Sequence, residues 1–224
     1  MTDSASPDQP NPRGRPKDQA KRSAILQAAT TLFLGQGFAG TSMDAVAKQA
    51  GVSKLTVYSH FSDKETLFSS AIEAKCHNLL PMPIFELEPD LPIRTTLTKI
   101  GLAFLELIHT PEVIELQRLM SSLATQDPAM SQLFFEAGPQ RTITAMENLV
   151  RNGNNTDRLQ ADNPKQAAEN FFSLLQGCEH MRVIIGCNQP MTASEAQPHA
   201  AQVVDMFLRA YGCLLYTSPS PRDI

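Results

Sequence analysis

Apolar residues recur with a helical period along almost the whole chain. Ile25, Ala28, Ala29, Leu32 and Phe33 fall at i, i+3, i+4, i+7 and i+8, one face of a helix that starts near Asp18 and that Gly35, Gly37 and Gly40 stop. Two short helices follow. Thr41 or Ser42 can cap the first, Asp44 suits its positive end, and Met43, Val46 and Ala47 form its apolar face. Gly51 ends it in the left-handed conformation that glycine adopts most cheaply. Ser53 caps the second, Lys54–His60. Ser62-Asp63-Lys64-Glu65 reads as a capping box, Ser62 at N-cap and Glu65 at N3, opening a helix that runs to about residue 79. Prolines 81, 83, 89 and 92 interrupt the pattern. Beyond them the spacing predicts helices over 93–109, 111–124, 128–152, 164–187 and 194–212. Asn163-Pro164 supplies a cap and a first-turn proline for the fourth, and Pro139 must kink or split the third. No stretch alternates long enough for a strand and no segment repeats. The expected fold is therefore all-α, a small N-terminal helical domain followed by a larger helical body.

Composition narrows the class. Of 224 residues, 42% are hydrophobic and 19% charged, enough to bury a core. No apolar run approaches the roughly 18 residues of a membrane span. The polar, proline-rich start lacks the apolar core of a secretion signal. Four cysteines, at 76, 178, 187 and 213, include no CxxC pair, which argues against a zinc site or a disulfide framework and suits a reducing cytoplasm. No metal or cofactor is expected. The net charge of −4 hides an asymmetry: residues 11–60 hold seven Lys/Arg against two acids. A basic first quarter on an acidic body suggests that one end faces a polyanion.

The segment 42–60 has helix–turn–helix spacing. Ala47, Ala50 and Gly51 are small where the helices cross, Val46, Val52 and Val57 anchor them, and Ser53, Lys54, Thr56, Tyr58 and His60 give the second helix a polar outer face. An ordinary helical hairpin shares that spacing; the residues themselves say more. Thr41-Ser42-Met43-Asp44-Ala45-Val46-Ala47, then Ala50-Gly51-Val52-Ser53-Lys54-Leu55-Thr56-Val57-Tyr58-Ser59-His60-Phe61-Ser62-Asp63-Lys64-Glu65-Thr66-Leu67-Phe68, closely resemble the signature of TetR-family transcriptional regulators over about residues 20–70. The chain departs from that pattern at Leu55, where glycine is usual. The body is more weakly similar to the AefR-like branch, through Glu115–Met120, Phe134–Pro139 and Phe207–Gly212. The resemblance implies a homodimer with an N-terminal DNA-binding domain and a C-terminal ligand-binding, dimerising domain. The expected boundaries are a disordered basic arm at 1–17, the DNA-binding domain at 18–66, the body at 67–212 and a non-native or disordered tail at 213–224.

Roles follow from chemistry. Lys54 can neutralise a phosphate, Tyr58 and His60 can reach backbone phosphates, and Lys64 with the free amides of its helix makes another phosphate site. Thr41, Ser42 and Ser53 can hydrogen-bond phosphate at the starts of the short helices. Thr56 and Leu55 are candidates for base edges, because a methyl can meet thymine. Arg13-Gly14-Arg15-Pro16 can lay Arg13 and Arg15 into an A·T-rich minor groove. Gly35–Gly40 fits GxGxxG only literally, since a helix rather than a strand precedes it. Cys178, Glu179 and His180 are adjacent on a helix and do not form a nucleophile–base pair.

In the body, Phe104, Met120, Phe134, Phe135, Met146, Phe171, Phe172 and Met181 are core residues or the lining of an apolar cavity, with Gln117, Arg118, Glu179 and His180 as orienting polar groups. Phe171, Leu174, Leu175 and Cys178, with Val203, Val204, Met206, Phe207 and Ala210 on the last helix, are the expected dimer surface, a four-helix bundle across a two-fold axis. The expectation is a cytoplasmic, ligand-responsive repressor that binds a near-palindromic operator and is released by a small apolar effector. A helical adaptor without DNA binding and a small helical enzyme are the rival readings.

Overall fold

The computed structural model describes residues 15–125 and 127–213. Arg13 and the tail 214–224 lie outside the described residues, as does the side chain of Arg15. Among the described residues ten α-helices follow one another: α1 (Arg15–Gly40), α2 (Met43–Gln49), α3 (Lys54–His60), α4 (Lys64–Leu79), α5 (Ile93–Ile108), α6 (Pro111–Leu123), α7 (Pro128–Ala137), α8 (Pro139–Asn155), α9 (Pro164–Ile184) and α10 (Ala193–Tyr211). A 3₁₀ turn, Met82–Phe85, fills the proline-rich stretch before α5. Among the described residues there is no β-strand, only a bridge between Leu159 and Gly212. The chain forms two compact units that divide inside α4, after Ala71.

In the first unit, Ile25, Ala29 and Phe33 of α1 bury against Val46, Val57, Phe61, Leu67 and Phe68. The rings of Phe33, Phe38 and Phe68 meet pairwise at 5.2–5.6 Å, two of the contacts edge-on. The core of the second unit comes from α5, α8, α9 and α10, with Leu97, Ile100, Leu105, Met146, Leu149 and Phe171 fully enclosed.

The helix boundaries depart from the sequence reading at four points. First, α1 begins at Arg15 rather than Asp18, so no extended arm includes Arg15 and Pro16; proline is accommodated in a first turn, where no amide bond is lost. Second, Asp63, not Ser62, caps α4: its Oδ1 accepts the Thr66 amide at 2.7 Å, while Ser62 bonds to the Asp63 carboxylate. That acceptor role holds the Asp63 carboxyl below its usual value. Third, the segment expected at 128–152 is two helices, α7 and α8, broken at Gly138-Pro139 as the proline requires. Fourth, α9 is interrupted at Gly177, whose φ of 51° and ψ of −167° belong to a region essentially reserved for glycine. The expected caps at Ser42, Ser53 and Asn163 are formed.

Candidate nucleic-acid interface and ligand cavity

The geometry of α2 and α3 is set by two serines and one glycine. Ser42 Oγ accepts the Ala45 amide at 3.2 Å and Ser53 Oγ accepts the Thr56 amide at 3.1 Å, so each short helix is closed at its N-terminus. Between them Gly51 turns the chain at φ 66°. Val46, Ala47 and Val57 are buried and fix the angle between the helices. The opposite side of α3 faces solvent: Ser53, Lys54, Tyr58 and Ser59 are exposed, and Leu55 is 79% exposed. A side chain as apolar as leucine, held this far out in the first turn of a polar helix, is available to a partner. Thr56 is half-buried and its hydroxyl shares a 2.8 Å hydrogen bond with that of Ser53.

Lys54 is poised over this face. Its Nζ lies 2.8 Å from an Asp44 carboxylate oxygen and 5.9 Å from the centre of the Tyr58 ring. The hydrogen bond and charge of Asp44 raise its pKa, so it is fully cationic. Both partners of the pair are well exposed, and such pairs exchange readily for a stronger anion.

Three residues expected on phosphates are committed elsewhere. Lys64 Nζ donates to the carbonyls of Phe38 at 2.7 Å and Thr41 at 3.0 Å, and sits 4.3 Å over the Phe38 ring. It ties down the turn that closes α1 beyond the break at Gly37, where φ is 72° and ψ 172°. Thr41 is buried, and its hydroxyl donates to the Gly37 carbonyl at 2.8 Å. The His60 side chain is only 11% exposed and turns back towards α1, its Nε2 3.2 Å from Asp18 Oδ1 but poorly aligned for a hydrogen bond.

The second unit holds a cavity of about 430 Å³, partly open to solvent. Five of the residues expected there line it: Phe104, Gln117, Phe134, Phe135 and Phe172. The Phe104 and Phe172 rings pack with centroids 4.6 Å apart. The other expected residues do not reach it. Arg118 binds the Ile184 and Val183 carbonyls at 2.8 and 2.6 Å and so closes the end of α9. Met120 and Met146 are buried in the packing. Glu179 pairs with Arg182 and accepts from Asn188 at 2.9 Å, and Met181 is 67% exposed.

His180 lies behind the wall, its Nε2 2.8 Å from Gln117 Oε1. Sequence reasoning missed the polar lining: Lys75, which pairs with Glu112 at 3.4 Å, the half-buried Cys76, and Glu169, Ser173 and Gln176. The last three recur at i, i+4 and i+7 along α9, a polar stripe beside Phe171, Phe172 and Leu175, and that stripe was legible. Burial pushes the Cys76 thiol up to about 11, so it stays a neutral thiol.

Family comparison agrees with this architecture. Residues 25–71 match the model of bacterial regulatory proteins of the TetR family, and residues 95–213, more than half the chain, match that of the AefR-like transcriptional repressor C-terminal domain. The chain belongs to the TetR family. A solved structure of a TetR-family transcriptional regulator from Mesorhizobium loti is similar at 27% identity and a TM-score of 0.72, covering 88% of this chain and 98% of that one. The flavonoid-responsive regulator FrrA is 31% identical with a TM-score of 0.68, covering 87% and 98%. Among curated proteins, the uncharacterized regulator YdeS of Bacillus subtilis is 38% identical over 71 residues, 32% of this chain and 36% of that protein. This chain spans less than two thirds of the length of curated relatives such as YdeS, SrpR and TtgW.

In this TetR-family chain the expected dimer surface divides. Phe171, Leu175, Val203, Val204 and Phe207 belong to the chain's own core, the Phe171 and Phe207 rings meeting at 5.1 Å. Leu174 is half-buried, while Cys178, Met206 and Ala210 are exposed. The break at Gly177 takes Cys178 out of the helical register of Phe171 and Leu174. Beyond the break, Met181 and Ile185 are 67% and 65% exposed, an apolar pair one turn apart. No described helix is long and apolar enough to cross a membrane.

Proposed function

We propose that this chain is a cytoplasmic, ligand-responsive repressor that binds a near-palindromic operator as a homodimer. The observation that carries the reading is the face of α3, where Lys54, Leu55 and Tyr58 stand clear of a helix held at a fixed angle by Gly51 and Val57. Lys54 exchanges Asp44 for a phosphate, and Tyr58, Ser42 and Ser53 donate to the backbone on either side. Leu55 and Thr56 meet base edges, the leucine against a thymine methyl. Two copies of α3 enter successive major grooves about 34–36 Å apart.

Exposed Met181, Ile185 and Met206, with half-buried Leu174, supply the apolar surface for the second protomer. The cavity of about 430 Å³ falls in the range of small-molecule sites and holds the effector. The flavonoid responsiveness of FrrA makes aromatic molecules the first candidates. Helix α4 carries residues of both units and transmits occupancy, because a ligand acts only by binding one state better than the other. A coupling of about 1–3 kcal/mol weakens operator binding by roughly 5–150-fold. Sequencing the genomic fragments that the purified protein retains tests this reading. The expected result is a shared inverted repeat; retention of no common sequence would contradict it.

A further inference from the structure

Two buried histidines sit behind the cavity wall, and each leaves one ring nitrogen unpartnered. His109 is 8% and His180 7% exposed, and their rings meet edge-on at 5.4 Å. His109 Nδ1 lies 2.9 Å from the Leu105 carbonyl, which can only accept, so Nδ1 carries the proton and Nε2 is a bare lone pair. His180 Nδ1 is buried without a partner as well. A buried N–H without an acceptor is rarer in proteins than a buried acceptor without a donor. The proton of His180 therefore belongs on Nε2, where it is donated to Gln117 Oε1 at 2.8 Å. Burial first, and then His109, push His180 down to about 4, so this neutral tautomer persists through neutral pH.

His180 fixes the carbonyl side of the Gln117 amide, and its N–H₂, which has no partner among the described hydrogen bonds, is the group Gln117 offers to the cavity that it lines. We infer that Gln117 is the donor that selects uncharged aromatic ligands bearing a carbonyl oxygen, and that His180 is the positioning residue that keeps the donor inward. The inference rests on the cavity being the effector site, and it deepens that reading by naming the ligand class. Phenylalanines 104, 134, 135 and 172 favour aromatic rings by edge and offset contacts. The charges favour a neutral ligand. Lys75 is the one cation among the described lining residues and is already paired with Glu112, while Glu169 adds a negative charge. A carboxylate ligand would have to displace Glu112 from Lys75 and meet the charge of Glu169.

The test uses 9-fluorenone and fluorene, planar molecules that differ only in a carbonyl, with affinities measured by equilibrium dialysis on the full chain. Gln117→Leu keeps the volume and removes the donor. It should weaken fluorenone about fivefold or more and leave fluorene unchanged, the range of one hydrogen bond to a neutral group. His180→Phe keeps an aromatic ring and should weaken fluorenone selectively too, whereas a purely structural role would move both ligands together. Gln117→Glu, which replaces the donor by an acceptor, gives the same selective loss if the leucine variant folds poorly. Equal losses for both ligands, or none, overturn the donor assignment and leave the cavity reading intact. Failure of fluorenone to bind the parent protein overturns the ligand class. Operator binding by the same samples reports separately whether the DNA-binding half of the proposal stands.

Discussion

Lys64 separates a structural cation from a DNA-contacting one, and its substitution by methionine distinguishes them. The change keeps an unbranched side chain and removes the ammonium. Two hydrogen bonds are lost, to the Phe38 and Thr41 carbonyls at 2.7 and 3.0 Å, together with the contact to the Phe38 ring at 4.3 Å. Charge-assisted hydrogen bonds contribute about 1.5–3 kcal/mol each where buried, and a cation over a ring about 0.5–2. The site is only partly buried and water replaces some of this, so the expected net loss is about 2–3 kcal/mol. For a chain of this size that is a fall in melting temperature of about 5–10 °C. Thermal denaturation followed by circular dichroism reads the stability, and operator titrations over a range of salt, well below the transition, read the phosphate role. The expected outcome is a lower melting temperature with an unchanged salt slope. An unchanged melting temperature with a slope reduced by about one would refute the capping role and return Lys64 to a phosphate.

Three further outcomes follow from the same geometry. Lys54→Ala should leave the melting curve in place, because its pair with Asp44 is exposed, yet weaken binding to every sequence and lower the salt slope by about one in fluorescence anisotropy titrations. Gly177→Ala should cost about 1–3 kcal/mol in urea denaturation. An added Cβ meets nothing within 4 Å, so the cost is backbone strain alone, and an equally stable variant would mean that α9 runs straight. His180 has a folded-state pKa of about 4, below its ordinary value of 6.5, so the unfolded chain binds more protons between those values. Stability should therefore fall as pH drops from about 6.5 to 4, and more steeply in the parent protein than in His180→Phe; parallel pH profiles would count against a neutral, buried His180.

Much of the fold was readable because it is governed by short-range rules. Ser42, Gly51 and Ser53 act within three residues of themselves, and Gly138-Pro139 breaks a helix without help from elsewhere. The outward face of α3 follows from Val57 pointing inward. What escaped depends on distant partners. The carbonyls that hold Lys64 lie 26 and 23 residues away, and those that hold Arg118 lie 66 and 65 away. Ser62 and Asp63 are both good caps, and only the folded chain chooses between them. Gly177 sits in a run with ordinary helical periodicity, where a lone glycine is usually tolerated. In α9 and α10 apolar residues occupy more than one face, so the pattern could not separate Phe171 and Phe207, which fill the chain's own core, from Met181, Ile185 and Met206, which stand outside it.

The central claim is that two copies of α3 read one duplex. Hydroxyl-radical and methylation-interference footprinting on a retained operator, with sedimentation of the same complex to count protomers, tests it directly. The expected result is two protomers per duplex and two patches of major-groove contact one helical turn, about 34–36 Å, apart. A single patch bound by one protomer, or protection of the minor groove alone, would contradict it.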